Sequence, residues 1–258
     1  MARSGPVRAH LVCGGRWHDF DYARRELLAA LGRYEDVRTT VTEDYRDLHR
    51  LTAADVLVTY TCDVRPSMEE QRVLARWVAD GGQWLALHAT NAVIDHDGSS
   101  YITPRVIPVL QEVLGSQFIS HPPIAPYEVE VVAPDHPLVQ GLSSFTVEDE
   151  LYLSEVPDPE ALEVLLATRW SGDAGPGFAE RSWHDDAFRP VLYLRRFGQG
   201  EVVYFTLGHC RGHWDMQPDI DWYPVVERGS WDVPEFRTVL DRALRRVLGR
   251  ADGGLPEG

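Results

Sequence analysis

Short apolar runs that alternate with amphipathic segments are the strongest constraint on how this chain folds. Over the first 90 residues the order is strand, helix, strand, strand, helix, strand. Strands joined through a helix pair in parallel, because a parallel connection has to cross over the sheet. The pattern therefore predicts an α/β fold whose sheet is mainly parallel.

Periodicity and end signals place the individual elements. In segment 67–82, Ser67 is a candidate N-cap and Glu70 follows three residues later, as in a capping box. Gly198 to Gly200 joins two strands in an antiparallel hairpin. We predict strands at 7–13, 36–42, 55–61, 84–87, 127–133, 161–170 and 190–208, and helices at 21–33, 67–82 and 233–249.

The length of the chain and its apolar content suit one domain. It has 258 residues, 44% of them hydrophobic, and no linker long enough to divide it. We expect a single α/β domain over residues 6–250 and a flexible tail at 251–258.

No apolar run reaches the roughly 20 residues of a membrane span, and the first ten residues carry no apolar signal segment. We therefore expect a cytoplasmic protein that does not bind membranes; a homo-oligomer is compatible with this composition.

Charge and residue usage exclude several functions. The net charge of −15 repels a phosphate backbone, so we expect no nucleic-acid partner. All 25 basic residues are arginine, which excludes Schiff-base and pyridoxal-phosphate chemistry on lysine and a standard phosphate-binding P-loop. The three cysteines are scattered and odd in number, so a disulfide framework is not expected.

Three predicted strands each end at a histidine. His18 comes after the first strand, His88 directly after the buried run "WLAL", and His209 after "VVYFTLG". Ligands of open α/β sheets bind beyond the carboxyl ends of the strands. One strand-end histidine alone is more often packing than catalysis, but three at one rim favour a shared site. We expect these histidines to be catalytic groups, or ligands of Zn²⁺ or another divalent ion.

Other residues at the same rim complete the candidate site. The segment "EDELY" supplies Asp149 and Glu150 as candidate catalytic carboxylates, whereas we interpret Glu148 as part of a solvated acidic turn. Aromatic rings at this rim offer stacking surfaces to a ligand. The candidate substrate-binding residues are Gly15, Trp17, Asp19, His121, Tyr152 and Trp214.

Six motifs that occur in order carry a family resemblance. They are "GGRWHDF", "GGQWLALHAT", "SHPP", "DHPLVQGL", "EDELY" and "FGQGEVVYFTLGH". Over roughly residues 6 to 250 the chain resembles the ThuA-like, or trehalose utilisation, family. The resemblance implies a flavodoxin-like, three-layer sandwich similar to class I glutamine amidotransferases. It also implies a role in the metabolism of disaccharides or oxidised sugars.

The resemblance also bears on His88. In related amidotransferases the elbow between strand and helix at this place carries a nucleophilic cysteine. Here "LALHAT" has His88 instead, with no cysteine or serine beside it. We therefore expect no glutaminase activity.

Three functions are compatible with these features. The first is an enzyme that uses the histidine-rich site for acid/base or metal-assisted chemistry on a sugar. The second is a non-catalytic sugar-binding protein, which would not need several histidines at one rim. The third is a cysteine hydrolase using Cys62 or Cys210, although buried cysteines are mostly inert. The sequence names neither the substrate nor the reaction.

Overall fold

The computed structural model describes residues 5–175 and 177–250. Its helices are α1 (Phe20–Leu31), α2 (Leu48–Ala53), α3 (Met68–Ala79), α4 (Pro108–Leu114) and α5 (Pro234–Val247). Short 3₁₀ helices cover His88–Asn91, Pro159–Ala161 and Gly229–Asp232. The strands are β1 (Val7–Gly15), β2 (Val37–Thr42), β3 (Val56–Cys62), β4 (Gln83–Leu87), β5 (Asp95–His96), β6 (Tyr101–Ile102), β7 (Gln117–Ser120), β8 (Ala125–Val131), β9 (Phe145–Asp149), β10 (Leu153–Glu155), β11 (Leu162–Arg169), β12 (Gly172–Asp173), β13 (Ser182–Trp183), β14 (Phe188–Phe197) and β15 (Gly200–Phe205).

One mixed sheet of nine strands organises the molecule. Its order is β2-β1-β3-β4-β15-β14-β11-β8-β9. The first five strands in that order are parallel, and the remaining pairings are antiparallel. The predicted α/β fold with a mainly parallel sheet is confirmed, and the antiparallel part extends beyond the predicted hairpin to β11, β8 and β9.

Helices cover both faces of the sheet and give the three predicted layers. On one face, Leu27 of α1 and Phe236 of α5 pack in a large buried core. On the other, Leu74 of α3 and Leu110 of α4 pack in a second core. The capping box predicted at Ser67 is present, with both reciprocal hydrogen bonds. The short helices α2 and α4 were not predicted, because six or seven residues carry little periodicity.

The hairpin between β14 and β15 turns at Gly198, whose φ of +62° lies in the left-handed region. A side chain at Gly200 would place a Cβ 2.1 Å from the carbonyl oxygen of Val78, at the end of α3. Glycine is therefore required where the hairpin packs on the helix.

No helix within 5–175 and 177–250 is long and apolar enough to cross a membrane. The predicted tail at 251–258 lies outside the described residues.

Candidate functional site

His18 is held in the turn between β1 and α1. The preceding residue, Trp17, has a φ of +68°, which turns the chain sharply at the end of the strand. The side chain of His18 is buried, and its Nδ1 lies 3.2 Å from the backbone oxygen of Arg16. That contact orients the ring so that Nε2 faces the carboxyl ends of the neighbouring strands.

His88 occupies the elbow immediately after β4. Its φ of +47° is unusual for a residue with a side chain, and its exposed fraction is 0%. Tyr204 of β15 donates a hydrogen bond of 2.7 Å to the backbone oxygen of His88. His88 Nδ1 lies 2.8 Å from the backbone oxygen of Thr206. The backbone is thus anchored to the neighbouring strand β15, and the ring to the residue that follows this strand.

His209 follows β15 after a left-handed glycine, Gly208, with φ of +114°. The backbone N–H groups of Gly208 and His209 both donate to the carboxylate of Asp149. The ring of His209 is fully buried, and its Nε2 lies 2.8 Å from Oε2 of Glu227. The turn after β15 is therefore fixed by two carboxylates from other parts of the chain.

The structure brings the three histidines together around Glu150. Their ring centroids are 4.7 to 5.7 Å apart, and Nε2 of His18 lies 2.9 Å from Nε2 of His88. Oε2 of Glu150 is 3.5 Å from His18 and 3.4 Å from His88, and its Oε1 is 3.4 Å from Nδ1 of His209. One ligand atom from each residue lies within 4.8 Å of the others. Such a cluster can exchange a proton or hold a metal ion.

Burial and neighbouring charges shift the pKa values of these groups in opposite directions. Burial lowers the pKa of His18 to about 3, despite the nearby Glu150. Burial also acts against the charged form of His209, but Glu150 and Glu227 outweigh it and raise its pKa to about 9. Burial disfavours the charged form of Glu150, yet His209 and His121 hold its pKa well below the usual value. A carboxylate with a cationic partner is therefore the preferred state of the cluster.

The two candidate carboxylates of "EDELY" face different surroundings. The carboxylate of Glu150 faces the histidines. Asp149 instead accepts hydrogen bonds from the backbone of Gly208 and His209 and from both the backbone and the hydroxyl of Ser230. Consecutive residues of an extended chain point to opposite sides, which separates the two roles. Glu150 therefore lies within the cluster, whereas Asp149, predicted as a catalytic carboxylate, holds the turn after β15.

A cavity of about 270 Å³ opens above the cluster. Its walls are largely aromatic, and they include three predicted substrate-binding residues, Trp17, His121 and Tyr152. The hydroxyl of Tyr152 lies 3.2 Å from Nε2 of His88, and Nε2 of His121 lies 3.9 Å from Oε1 of Glu150. His18 and Glu150 also line this cavity, so a small ligand there reaches the cluster.

Three other predicted substrate-binding residues do not line this cavity. Gly15 lies beside β3, where a Cβ would come 1.8 Å from the backbone oxygen of Cys62. Asp19 caps helix α1 and pairs with Arg228. Trp214 is 62% exposed and packs edge-on against Trp222 outside the cavity. The structure gives the first two residues packing and capping roles that the sequence pattern did not reveal.

Glu227 and Arg211 were missed by the sequence analysis. Glu227 contacts His209, accepts from the guanidinium of Arg211 at 3.1 Å and accepts from the hydroxyl of Tyr223 at 2.9 Å. Arg211 also donates to Glu150 at 3.0 Å. The only local signal for Glu227 is a carboxylate after the apolar run "YPVV". Its proximity to His209 follows from the fold of an irregular segment, which has no periodicity to detect.

A larger cavity, about 1050 Å³, lies elsewhere, against β11 and β14. Most of its charged side chains are paired, as in Arg105 with Glu180 and Arg189 with Asp185. No histidine or cysteine lines it. The smaller cavity over the histidine cluster is therefore the better candidate for chemistry, because it places a ligand beside buried histidines and a buried glutamate.

The three cysteines are all buried and free. Burial raises the pKa of Cys62 well above its usual value, and it also raises the pKa of Cys210. A thiolate is the reactive form of cysteine, and these surroundings disfavour it. This counts against the cysteine hydrolase considered from the sequence.

Comparisons with known proteins agree with the observed fold. A family model described as ThuA, trehalose utilisation, matches residues 10–221. A ThuA-like protein from Bacteroides uniformis has 17% identity and a TM-score of 0.63, with 96% of this chain and 94% of that chain covered. A ThuA-like protein from Parabacteroides merdae has 15% identity and a TM-score of 0.59, with 98% and 94% covered.

A β-galactosidase from Bacillus circulans has 14% identity and a TM-score of 0.52, with 96% of this chain aligned to 32% of that enzyme. At these identities, the structural likenesses show a shared fold and nothing about chemistry. A search of curated protein sequences finds no match.

Proposed function

Because this chain belongs to the ThuA family, described by trehalose utilisation, we propose that it is a cytoplasmic enzyme acting on a sugar or an oxidised sugar. The histidine cluster supplies acid/base or metal-assisted chemistry, with a divalent ion such as Zn²⁺ as the candidate cofactor. The substrate is a small molecule, a disaccharide or an oxidised sugar derivative.

One observation carries this proposal: a buried set of three histidines and a glutamate lies at the floor of an aromatic cavity. A buried imidazole is costly unless each ring nitrogen finds a partner, and in this cluster the inward nitrogens of His18 and His209 lack protein donors. The cavity is slightly smaller than the roughly 300 Å³ at the lower end of ligand sites, so it suits one sugar ring, and the second ring of a disaccharide would lie outside it. Aromatic walls stack on the apolar faces of such a ring.

The residues of the cluster are placed to move a proton. His88 is fixed by its contacts with β15, and Glu150 and the hydroxyl of Tyr152 lie within 3.4 Å of its Nε2. We assign to these groups the transfer of a proton at a sugar hydroxyl or at an adjacent carbon. Arg211 is bound to Glu150 and Glu227, so it orients the carboxylates.

Glutamine hydrolysis is not part of this function. The elbow after β4 presents His88, and the described cysteines are buried with raised pKa values. We expect no ammonia release when the purified protein is incubated with glutamine. Ammonia release that Cys62→Ala or Cys210→Ala abolishes would instead identify a thiol nucleophile.

The main test uses His88→Ala. Wild-type protein is incubated in D₂O with neutral mono- and disaccharides and their oxidised derivatives, and NMR follows both product formation and exchange of carbon-bound hydrogen. We expect turnover or exchange with wild type and none with His88→Ala. Melting temperature is measured on the same preparations, because a packing role would reduce stability rather than the activity of each folded molecule.

The matched control is His49→Ala, because His49 is exposed on α2, away from the cluster. It should retain wild-type turnover and melting temperature. The proposal is contradicted if His88→Ala keeps full activity per folded molecule. Tight sugar binding without turnover or exchange would support the non-catalytic sugar-binding alternative.

A further inference from the structure

We infer that His18, His88, His209 and Glu150 form a site for one divalent transition-metal ion, and that Glu227 is the residue that orients His209 toward it. This inference rests on the proposed function in placing the reaction centre at this cluster, and it selects the metal-assisted form of that function, because a metal ion on Nε2 of His88 leaves this nitrogen unable to transfer a proton. Metal binding is measured without a sugar, so either proposal can fail while the other stands.

The directions of the nitrogen lone pairs follow from the hydrogen bonds of His18 and His88. In each ring Nδ1 lies against a backbone carbonyl oxygen, at 3.2 Å from Arg16 and 2.8 Å from Thr206. A carbonyl oxygen only accepts hydrogen bonds, so both Nδ1 atoms carry the hydrogen. In the neutral rings the lone pair is therefore on Nε2, and both Nε2 atoms face the cluster.

These two lone pairs meet at close range. The Nε2 atoms of His18 and His88 are 2.9 Å apart, a hydrogen-bond distance at which neither neutral ring has a hydrogen to donate. Tyr152 can donate its single hydroxyl hydrogen to His88, which leaves Nε2 of His18 without a donor. Its other neighbour, Oε2 of Glu150, is an acceptor as well. A cation that both nitrogens bind resolves this arrangement.

His209 contributes a third nitrogen. Its Nε2 donates to the carboxylate of Glu227 at 2.8 Å, which leaves Nδ1 for the cluster. This Nδ1 is buried and has no hydrogen-bond partner. Its nearest acidic neighbour is Oε1 of Glu150, at 3.4 Å. A buried ring nitrogen directed at a carboxylate without a hydrogen bond is an expected feature of a metal ligand.

The charges of the site also require a cation. The carboxylates of Glu150 and Glu227 face one guanidinium, that of Arg211. With neutral histidines, the site has one uncompensated negative charge, which is costly in a buried position. A proton on His209 or a metal ion can supply the charge. A metal ion supplies the charge and binds the facing nitrogens of His18 and His88 and the unpartnered Nδ1 of His209 together, which a single proton cannot do.

The donor set indicates the class of metal. Three imidazole nitrogens and one carboxylate oxygen suit Zn²⁺ and its transition-metal neighbours, whereas Mg²⁺ and Ca²⁺ prefer oxygen. Each histidine has its second nitrogen bound to an oxygen, from Arg16, Thr206 or Glu227. This is the outer layer that normally fixes the rings of metal-binding histidines. Glu227 is the only one of these three acceptors that belongs to a side chain, so mutation can test it.

The experiment measures metal binding to the full chain after treatment with a chelator. Zn²⁺, Co²⁺, Mg²⁺ and Ca²⁺ are titrated separately by calorimetry, and bound metal is counted by elemental analysis. The visible absorption of bound Co²⁺ reports nitrogen ligation. We expect one equivalent of Zn²⁺ or Co²⁺ per chain, with much weaker binding of Mg²⁺ and Ca²⁺.

Variants separate ligands from bystanders. His88→Ala and Glu150→Gln should lose stoichiometric binding, and Glu227→Gln should bind Zn²⁺ roughly 10- to 100-fold more weakly with an altered Co²⁺ spectrum. His49→Ala, on the exposed face of α2, should bind as wild type does. Circular dichroism checks that each variant is folded, and the conservative Glu150→Gln keeps the test of the ligand set valid if His88→Ala unfolds.

Three outcomes would overturn the inference. The first is the absence of stoichiometric binding of either transition metal to the folded wild type. The second is unchanged binding in His88→Ala or Glu150→Gln. The third is equal affinity for Mg²⁺ and Zn²⁺. Wild-type affinity in Glu227→Gln would overturn the assigned role of Glu227.

Discussion

Each imidazole of the cluster has one ring nitrogen bound to an orienting oxygen and directs the other toward the cluster. The orienting partners are two backbone oxygens and the carboxylate of Glu227. A histidine outside the cluster behaves differently: both ring nitrogens of His10 contact threonine hydroxyls, from Thr40 and Thr42 on β2. Burial alone therefore does not identify a functional histidine, whereas an unsatisfied inward nitrogen does.

His10 provides a test of pH-dependent stability. Burial lowers its pKa from 6.5, with Asp47 and Arg50 acting in opposite directions. Below pH 6.5 the unfolded chain binds this proton more readily than the folded chain, so the free energy of unfolding falls as the pH drops. His10→Gln removes this contribution. We expect urea unfolding between pH 7 and 5 to show a shallower decline for His10→Gln; identical pH slopes would contradict the assignment.

Asp149 shows how a polar residue stabilises the site without facing it. Its carboxylate satisfies donors on Gly208, His209 and Ser230. In Asp149→Asn the amide group would leave at least one buried donor unpaired, and we expect a loss of about 2–4 kcal/mol in the free energy of unfolding. The control is Glu148→Gln, at an exposed neighbouring position. Equal stability of the two variants in denaturant titrations would show that these bonds contribute little.

At the scale of elements, the site depends on how closely neighbouring strands approach. Gly15, with φ of +128°, ends β1 where β3 leaves no space for a Cβ. The next residues turn sharply to deliver His18. On the far side, Gly208 turns the chain after β15 to deliver His209. The two ends of the site therefore depend on backbone turns in which side chains are not tolerated or are strained.

Gly15→Ala tests this close approach. The added Cβ would lie 1.8 Å from the backbone oxygen of Cys62, so the strands must shift apart. We expect a loss of about 3 kcal/mol or more in the free energy of unfolding. Gly98→Ala is the control, because Gly98 also has a positive φ but has open space around it. In Gly98→Ala the free energy of unfolding should fall only by the cost of backbone strain, about 1 kcal/mol. Equal losses of unfolding free energy in the two variants would exclude the steric explanation.

At the scale of the whole molecule, the cluster joins distant parts of the chain. His18 follows β1, His88 follows β4, Glu150 follows β9 and His209 follows β15. Strands β1, β3, β4 and β15 are neighbours, and β9 lies at the sheet edge beyond the antiparallel strands. The chain segment after β9 therefore returns across the carboxyl ends of the parallel strands to deliver Glu150.

A bound metal would link these segments and stabilise the folded state. At a free concentration 100 times the Kd, binding to the folded chain alone contributes about 2.7 kcal/mol. For a protein of this size we expect Zn²⁺ to raise the Tm by about 5 °C or more, and a chelator to reverse this shift. Differential scanning calorimetry of wild type and Glu150→Gln measures the effect. A similar shift in Glu150→Gln would indicate metal binding elsewhere on the surface.

Several features of this protein followed from the sequence because they are local. The alternation of strands and helices predicted a parallel sheet, and the Ser67 and Glu70 pair predicted a capping box that is present. Parallel strands have their carboxyl ends at one rim, so the expectation that His18, His88 and His209 meet followed from their places after strands. Periodicity and end signals depend on neighbours a few residues apart, and these are read directly from the sequence.

Other features depended on the tertiary structure. Asp149 and Glu150 are adjacent and chemically alike, yet only Glu150 faces the histidines, because the direction of β9 sets which side each one faces. Glu227 reaches His209 from an irregular segment, and Gly15 proved to be a packing requirement. Contacts between residues far apart in sequence arise from long-range packing, which leaves no periodic signal. Local pattern thus determined the elements and the histidine rim, while the fold decided which carboxylates complete the site.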